Sequence, residues 1–187
     1  MKIVLIGIQG SGKSTQGNLM AKKLGIPYLS SGHIFRNMAK EKTPLGRYIK
    51  ETINAGFLIP DDKTIEIIEE YLKKPEYTNG YILDGFPRTP KQAQAFKEPD
   101  AVIHLDVSDK EALWRLSGRV EEGVREDNTL QAIRKRIENF HTHTQPLIDY
   151  YKKRHLLLQI NGERDIDTIF QDILAQLKAK TKRPLPQ

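Results

Sequence analysis

The segment whose residues are best suited to chemistry is the glycine-rich stretch from Gly7 to Ser14, which reads GIQGSGKS. Its fixed positions fit the pattern G-x-x-x-x-G-K-[ST], in which successive backbone N–H groups converge on phosphate oxygens. Lys13 supplies a movable positive charge for the outer phosphates, and Ser14 or Thr15 offers a hydroxyl to Mg²⁺. The pattern therefore predicts a site for a nucleoside triphosphate, formed by Gly10, Ser11, Gly12, Lys13, Ser14 and Thr15.

Regular elements are expected on both sides of this loop. Residues 3–6 form a short, branched apolar run that is typical of a buried strand, and residues 13–24 follow with the apolar spacing of a helix. The positive end of that helix dipole would face a bound phosphate. The loop by itself does not distinguish a GTPase, an ATPase, a motor or a kinase.

A second candidate segment, Asp84 to Thr89 (DGFPRT), follows another apolar run. In an open α/β sheet, ligands bind beyond the carboxyl ends of the strands, which is where Asp84 would lie, and its carboxylate suits the hydration shell of Mg²⁺. Gly85 lets the chain pass close to a ligand, and Pro87 stiffens the base from which Arg88 projects. An ordinary turn also contains Asp, Gly and Pro, but it does not explain an arginine at the same sheet edge as the loop.

Apolar runs and helical periodicities alternate along the chain. The runs predict strands at residues 3–6, 27–29, 81–83, 101–107 and 156–160. The periodicities predict helices at residues 13–24, 34–57 with a break near 43–44, 61–73, 90–96, 129–154 with a bend at Pro146, and 166–178. Ser108 and Asp109 are expected to cap a further helix, which would end before a loop at residues 120–128. This alternation predicts an α/β three-layer fold, with a sheet of about five parallel strands and helices on both faces.

Composition narrows the class of protein. The chain has 187 residues, which suits one domain, and it contains no cysteine and carries a net charge of +6. The lack of cysteine excludes disulfides and thiolate metal sites, and no apolar run reaches the roughly 18 residues of a membrane span. We therefore expect a soluble, cytoplasmic protein. The positive charge indicates either an anionic partner or a solvated basic surface, and charge alone does not decide between them.

The segment Asp84 to Thr89, together with Gln92, resembles the signature of adenylate kinases, within the wider family of nucleoside monophosphate kinases. The resemblance extends from Met1 to about Leu177 and includes residues 30–36 and 55–59. It implies a P-loop fold and reversible transfer of a phosphoryl group from ATP to AMP, giving two ADP, with Mg²⁺ as cofactor. It also implies a protein that acts as a monomer.

The resemblance further implies where the two nucleotides bind. The expected AMP site consists of Ser31, Arg36, Phe57, Leu58, Ile59, Gly85, Phe86, Pro87, Arg88, Gln92, Arg125 and Arg136. The expected ATP site adds Arg119 and Arg164 to the glycine-rich loop, and the expected Mg²⁺ contacts are Ser14 and Asp84, through water. The implied catalytic cations are Lys13, Arg88, Arg119, Arg125 and Arg136. Because the acceptor phosphate is already ionised, no general base is expected.

The implied organisation has three parts. The P-loop core would comprise residues 1–29, 60–119 and 129–179, the AMP-binding insert residues 30–59, and a short lid residues 120–128. Because the lid contains no cysteine, the zinc-binding lid of some relatives is excluded. Residues 180–187 carry two prolines and no periodic pattern, so we expect a disordered tail.

Three positions depart from the family pattern. Gln9 stands where proline is common, Ser14 where glycine is common, and His33 where aspartate is common. That aspartate would help to order water around Mg²⁺, so His33 predicts weaker or more pH-sensitive use of Mg²⁺. Elsewhere, we expect Trp114 to be a core residue, and we expect packing or surface roles for His104, His141, His143 and His155.

Two other functions are compatible with parts of the sequence. A kinase for UMP or CMP would share most of these motifs, although Thr89 and Gln92 resemble the adenylate type more than the pyrimidine type. A nucleic-acid-binding protein would need basic patches with interleaved aromatic residues, whereas aromatic residues make up 7% of this chain. We therefore expect ATP, AMP and ADP as partners, and neither nucleic acid nor a membrane.

Overall fold

The structure is a computed structural model that describes residues 1–96, 99–121 and 129–181, with residues 119–121 described by their backbone. Its strands are β1 Lys2–Ile6, β2 Tyr28–Ser30, β3 Tyr81–Asp84, β4 Ala101–Asp106 and β5 Leu157–Asn161. They form one sheet in the order β2-β3-β1-β4-β5, and every neighbouring pair is parallel. The predicted α/β fold with five parallel strands is confirmed.

Helices connect the strands. They are α1 Lys13–Leu24, α2 Ser31–Met38, α3 Pro44–Asn54, α4 Asp61–Leu72, α5 Pro90–Ala95, α6 Asp109–Glu121, α7 Leu130–Asn139, α8 Gln145–Lys153 and α9 Ile166–Thr181. A short 3₁₀ helix, Pro75–Tyr77, follows α4, and a π-helical segment, Phe140–Thr144, joins α7 to α8. Several helices begin where the sequence supplies a capping hydroxyl, as at Thr43 before α3 and Thr129 before α7.

Successive residues of the central strand β1 face opposite layers of the molecule. Leu5 belongs to one buried cluster with Ile173 of α9, and α1 contributes to the same layer. Val4 belongs to a second buried cluster with Ile68 of α4 and Leu147 of α8. Because the sheet is buried on both faces and all its strands are parallel, the carboxyl ends of the strands meet at one shared edge.

The single long helix predicted for residues 129–154 is interrupted. Helix α7 ends at Asn139, the π-helical segment Phe140–Thr144 follows, and α8 begins at Gln145. Pro146 has no N–H to donate to the turn before it, so the regular hydrogen-bond ladder fails one turn before the proline rather than at it.

Helix α6 also differs from expectation. It continues through Glu121 and so includes the first two residues of the predicted lid, 120–128, whereas residues 122–128 lie outside the described part of the chain. Trp114 is 71% exposed, so the prediction that it is a core residue is wrong. Ala112 and Leu116 form the buried face of α6, and a residue midway between them points to the opposite side of the helix.

The last helix, α9, extends to Thr181, three residues past its predicted end, and so includes the first two residues of the predicted tail, 180–187. Residues 182–187 lie outside the described residues. The division into core, insert and lid stays a prediction. Among the described residues, no helix combines the length and the apolar character that crossing a bilayer requires.

Candidate active site

The glycine-rich loop connects β1 to α1 and curls tightly. Gly10 and Gly12 have φ angles of 92° and 90°, which favour glycine over any other residue. A Cβ atom on Gly10 would lie 2.9 Å from the carbonyl oxygen of Ala112, so the loop packs closely against α6. The ammonium nitrogen of Lys13 donates hydrogen bonds to the carbonyl oxygens of Gly7 and Ile8, at 2.8 and 2.9 Å. The charge of Lys13 is therefore held over the loop itself.

A cleft of about 210 Å³ opens at the carboxyl edge of the sheet beside this loop. Most of the residues predicted from the sequence line it together: Gly10, Gly12, Lys13, Ser14, Arg36, Phe57, Leu58, Ile59, Asp84, Gly85, Pro87, Arg88, Gln92 and Arg136. The glycine-rich loop, the predicted insert and the segment after β3 thus face one shared space. Gln9 and His33, two of the departures from the family pattern, also line it.

Arg88 is fixed in the wall of the cleft by its neighbours. Its Nε donates to the carbonyl oxygen of Gly85 at 2.8 Å, and its backbone N–H donates to Oε1 of Gln92 at 2.7 Å. Burial lowers the pKa of Arg88, the carboxylate of Asp84 opposes that shift, and the charge of Arg136 adds to it. A guanidinium retains its proton in proteins, so the site holds a buried positive charge in a fixed position.

Gln92 connects this segment to α4. It is 2% exposed, and its Nε2 donates to Oδ1 of Asp61 at 2.8 Å while its Oε1 accepts from Arg88. Its own helix, α5, begins at a capping hydrogen bond from the backbone N–H of Gln92 to the hydroxyl of Thr89. Hydrogen bonds to other residues of the protein therefore fix the orientation of both Nε2 and Oε1 of the Gln92 side chain.

Asp84 supplies the group best suited to a hydrated metal ion. It is 9% exposed, and its Oδ2 accepts a hydrogen bond from the hydroxyl of Tyr28 at 2.7 Å. Its Oδ1 is buried and has no hydrogen-bond partner among the described residues. A buried carboxylate oxygen without a partner is costly, and Mg²⁺ binds through one or two carboxylates while it keeps several waters. The residues present therefore fit hydrated Mg²⁺, with the hydroxyl of Ser14 on the same cleft.

Other predicted site residues lie beneath the cleft surface or away from it. Ser31 is buried, and its hydroxyl donates to the carbonyl oxygen of Gly85 at 2.8 Å, so it supports the segment that lines the cleft. Arg164 forms an ion pair with Asp172 of α9 and does not line the cleft. The remaining residues that do not line it are Ser11, Thr15 and Phe86. Arg125 and the side chain of Arg119 lie outside the described residues.

Structure adds several residues that the sequence analysis did not single out. Tyr28, Asn139 and Thr144 line the cleft, and all three make hydrogen bonds to its wall. Arg115 of α6 donates to the carbonyl oxygen of Gly162, which lies against the glycine-rich loop. Neither Asn139 nor Thr144 lies in a recognisable motif, and the residues three and four positions from Asn139 are all polar, so the sequence gives no signal for Asn139.

Two bonds join α7 to the end of α3. Nη2 of Arg136 donates to the carbonyl oxygen of Ile53 at 2.9 Å, and Nδ2 of Asn139 donates to that of Gly56 at 2.8 Å. Ile53 and Gly56 lie near the carboxyl end of the predicted insert, residues 30–59. These two hydrogen bonds therefore connect the insert to α7, the helix that follows the predicted lid. Arg136 therefore has a structural contact in addition to its place on the cleft.

Comparison with known proteins gives a consistent result. A family model described as adenylate kinase matches residues 5–156. An adenylate kinase of Caldicellulosiruptor bescii is 36% identical, over 95% of this chain and 99% of that protein. An adenylate kinase of Oceanobacillus iheyensis is 35% identical, over 96% and 100%. An adenylate kinase of Leptospira biflexa is 39% identical, over 94% and 99%.

The alignments also differ in length. That with the Caldicellulosiruptor protein spans 212 positions, more than the 187 residues of this chain, so it contains positions that this chain lacks. That with the Leptospira protein spans 184 positions. The matched region includes the glycine-rich loop, the segment after β3 and helix α7, which carries Arg136 and Asn139. On these matches, the chain belongs to the adenylate kinase family.

Proposed function

We propose that this protein transfers a phosphoryl group reversibly from ATP to AMP, giving two molecules of ADP. The observation that carries the proposal is the grouping of four cationic side chains around one cleft at the end of a P-loop. Lys13 comes from the loop, Arg36 from α2, Arg88 from the segment after β3, and Arg136 from α7. Phosphoryl transfer depends mainly on alignment and on neutralisation of charge, which is what such a grouping provides.

The donor and the acceptor have separate partners in this scheme. Backbone N–H groups of the loop and the ammonium of Lys13 hold the outer phosphates of ATP. Arg36, Arg88 and Arg136 hold the phosphate of AMP, because a guanidinium fork binds phosphate oxygens in pairs. The acceptor oxygen is ionised at neutral pH, so it attacks without losing a proton to the protein.

Mg²⁺ is the proposed cofactor of this reaction. The hydroxyl of Ser14 and, through water, Oδ1 of Asp84 would hold it, which is supported by the lack of any other partner for Oδ1 among the described residues. When bound, Mg²⁺ neutralises negative charge on the phosphates of ATP. The chain's own part is to hold the carboxylate of Asp84 in a fixed orientation.

The proposed base pocket for AMP combines an apolar wall with oriented polar groups. Phe57, Leu58 and Ile59 line the cleft, and the carbonyl oxygen of Ile59 is fixed by a hydrogen bond from the hydroxyl of Thr64 at 3.2 Å. Gln92 is proposed to read the adenine edge through the remaining hydrogen of its side-chain amide. The family match favours this reading over a UMP or CMP kinase and over a nucleic-acid-binding protein.

Exclusion of water is proposed to depend on movement of residues 120–128. Water competes with AMP as acceptor, so the site must close before transfer. Closure would bring Arg119 and Arg125 to the phosphates, and Arg164 would contact the base side of ATP. We also propose that the protein is cytoplasmic and works as a monomer. The monomer is supported by the cationic groups of the cleft, which come from one chain, and light scattering of the purified protein would test it.

The decisive experiment is a turnover assay with ATP, Mg²⁺ and each of AMP, CMP, UMP and GMP. We expect rapid ADP formation with AMP and much slower reaction with the other three. Lys13→Met should abolish this activity, which excludes a contaminating kinase, while Lys22→Met, at an exposed position of α1, should retain it. Unchanged ATP with every acceptor would overturn the proposal. A preference for CMP or UMP would instead show that the protein is a kinase for a pyrimidine nucleoside monophosphate.

A further inference from the structure

Tyr28 donates a hydrogen bond to the carboxylate of Asp84 from the neighbouring strand. Tyr28 opens β2, pairs in register with Ile82 of β3, and extends its side chain toward the carboxyl end of β3. Its hydroxyl reaches Oδ2 of Asp84 at 2.7 Å. This hydrogen bond therefore connects β2, an edge strand of the sheet, to the last residue of β3, which lines the cleft.

The ring of Tyr28 is held in place by α1. A Cβ atom on Gly17 of α1 would lie 2.4 Å from Cε2 and 2.7 Å from Cδ2 of the ring, so only a glycine leaves room for it. The ring is thus enclosed between the helix that follows the glycine-rich loop and the strand it belongs to. Its hydroxyl has little freedom to leave Asp84.

The hydroxyl of Tyr28 is the donor of this hydrogen bond, and the carboxylate of Asp84 is the acceptor. Burial raises the pKa of Tyr28, and the nearby carboxylate of Asp84 raises it further, while Arg36 opposes the shift. A hydrogen bond to an ionised acceptor is stronger than one between neutral groups.

Asp84 has a special position among the residues of the cleft. Of the described residues that line it, Asp84 alone carries a carboxylate, because His33 stands where an aspartate would add a second. Oδ2 of Asp84 accepts the hydrogen bond from Tyr28, and Oδ1 has no hydrogen-bond partner within the described ranges. The orientation of a single carboxylate then determines where a hydrated cation can be held.

We propose that Tyr28 is a positioning residue for Mg²⁺: its hydroxyl fixes the carboxylate of Asp84 so that Oδ1 holds a water of the hydrated ion. The inference rests on the proposed function, since it places Mg²⁺ with ATP in this cleft. Loss of a group that orients a metal ligand typically costs about 10- to 100-fold in metal affinity or activity.

The test uses Tyr28→Phe, which keeps the ring beside Gly17 and removes the hydroxyl alone. Calorimetry gives the dissociation constant of ATP for the full-length protein with and without Mg²⁺. In the variant, ATP without Mg²⁺ should bind as in the wild type, and the gain in affinity that Mg²⁺ provides should be largely lost. In turnover assays the Mg²⁺ concentration for half-maximal rate should rise about 10-fold, with the maximal rate restored at high Mg²⁺.

Tyr81→Phe is the matched control, because Tyr81 is a buried tyrosine in the neighbouring strand that does not line the cleft. It should leave the effect of Mg²⁺ on ATP binding unchanged. In an Asp84→Asn background, Tyr28→Phe should have no further effect on Mg²⁺, because the group it orients is gone. A lower melting temperature of Tyr28→Phe with an unchanged Mg²⁺ effect would overturn the proposal and leave Tyr28 a packing residue.

The calorimetric readout separates this inference from the proposed function. If the wild type binds Mg²⁺ with ATP but fails to phosphorylate AMP, the proposed function fails while the comparison of Tyr28→Phe with Tyr81→Phe still decides the role of Tyr28. If AMP is phosphorylated and the two variants respond alike to Mg²⁺, the positioning role fails alone.

Discussion

At the scale of single residues, Arg88 is a cation of the cleft whose side chain and backbone are both held by hydrogen bonds. Gly85 and Gln92 hold its side chain and backbone, and Thr144 donates to its carbonyl oxygen at 3.0 Å. A lysine at this position would retain a positive charge but lose the planar fork that binds two phosphate oxygens at once. The geometry of the guanidinium, and not charge alone, is thus the property to test.

We expect Arg88→Lys to lower the turnover number about 10³-fold, within the range for cations that stabilise a transferred phosphoryl group. Steady-state kinetics with AMP measures the effect, and circular dichroism checks that the variant is folded. Arg47→Lys, at an exposed position of α3, is the control and should retain full turnover. An Arg88→Lys enzyme with near-normal turnover would show that point charge suffices.

His33 is the second residue with a defined expectation. It is exposed and lines the cleft on the side of α2, where a carboxylate would add negative charge near the proposed Mg²⁺ position. His33→Asp should therefore lower several-fold the Mg²⁺ concentration needed for half-maximal rate, since affinity for hard cations rises with ligand charge. His143→Asp, at an exposed position outside the cleft, should not change it. Identical Mg²⁺ titrations for His33→Asp and the wild type would contradict the expectation.

At the scale of elements, the important contact is the one between α7 and the end of α3. Asn139 is buried, and its amide satisfies the carbonyl oxygen of Gly56 at 2.8 Å. Asn139→Ala leaves that carbonyl without its donor, so we expect a loss of about 1–3 kcal/mol in the free energy of unfolding. Urea denaturation measures it.

The neighbouring Glu138 provides the comparison for that measurement. It is exposed and pairs with Lys135 on the surface of α7 at 3.0 Å. Glu138→Ala should change the free energy of unfolding by no more than about 0.5 kcal/mol, as for most surface substitutions. Equal effects of the two alanine variants would mean that the Asn139 contact adds nothing to the joint between α7 and α3.

The elements themselves were largely predictable, because strands and helices follow from local periodicity. Helix α1, for example, has the bounds that its apolar spacing and Gly25 indicate. The π-helical segment Phe140–Thr144 was not, since it depends on how Pro146 is accommodated between two packed helices. That segment matters for the site, because it brings Thr144 to the carbonyl oxygen of Arg88.

The same distinction holds for the cleft. Lys13 and Arg88 were predictable because each lies in a short motif that follows a strand. The parts played by Tyr28 and Asn139 were not, because their partners, Asp84 and Gly56, are distant in sequence and meet them only after the sheet and helices have packed. Sequence pattern identifies the groups that do chemistry better than the groups that orient them.

At the scale of the whole molecule, the sheet contains a buried titratable group that links stability to pH. His104 of β4 is 5% exposed, and its Nδ1 has no partner among the described residues. Burial lowers the pKa of His104 from its ordinary value of 6.5; Asp106 opposes this shift and Lys13 adds to it. The unfolded chain therefore takes up a proton on His104 as pH falls through 6.5, whereas the folded chain takes it up only at lower pH, so stability decreases over this range.

We expect His104→Leu to reduce that loss of stability. As the pH is lowered from 7 to 5, the free energy of unfolding of the wild type should decrease. The free energy of unfolding of the variant should decrease less over the same range. Denaturant titrations at several pH values measure both curves. His143→Leu, at an exposed position, is the control and should keep the wild-type slope. Parallel curves for His104→Leu and the wild type would show that His104 is protonated equally in both states.

The exposure of Trp114 has a practical consequence. It is the only tryptophan in the chain, it lies on the outer side of α6, and α6 leads directly into residues 122–128. An indole in water emits at long wavelength, and any approach of another part of the chain would shift its emission to the blue. The protein thus carries a single tryptophan on the helix that leads into the segment proposed to move, and the lack of native cysteine leaves every position open to a single thiol-linked acceptor dye. The proposed movement of residues 120–128 would then be tested optically in the otherwise unmodified enzyme.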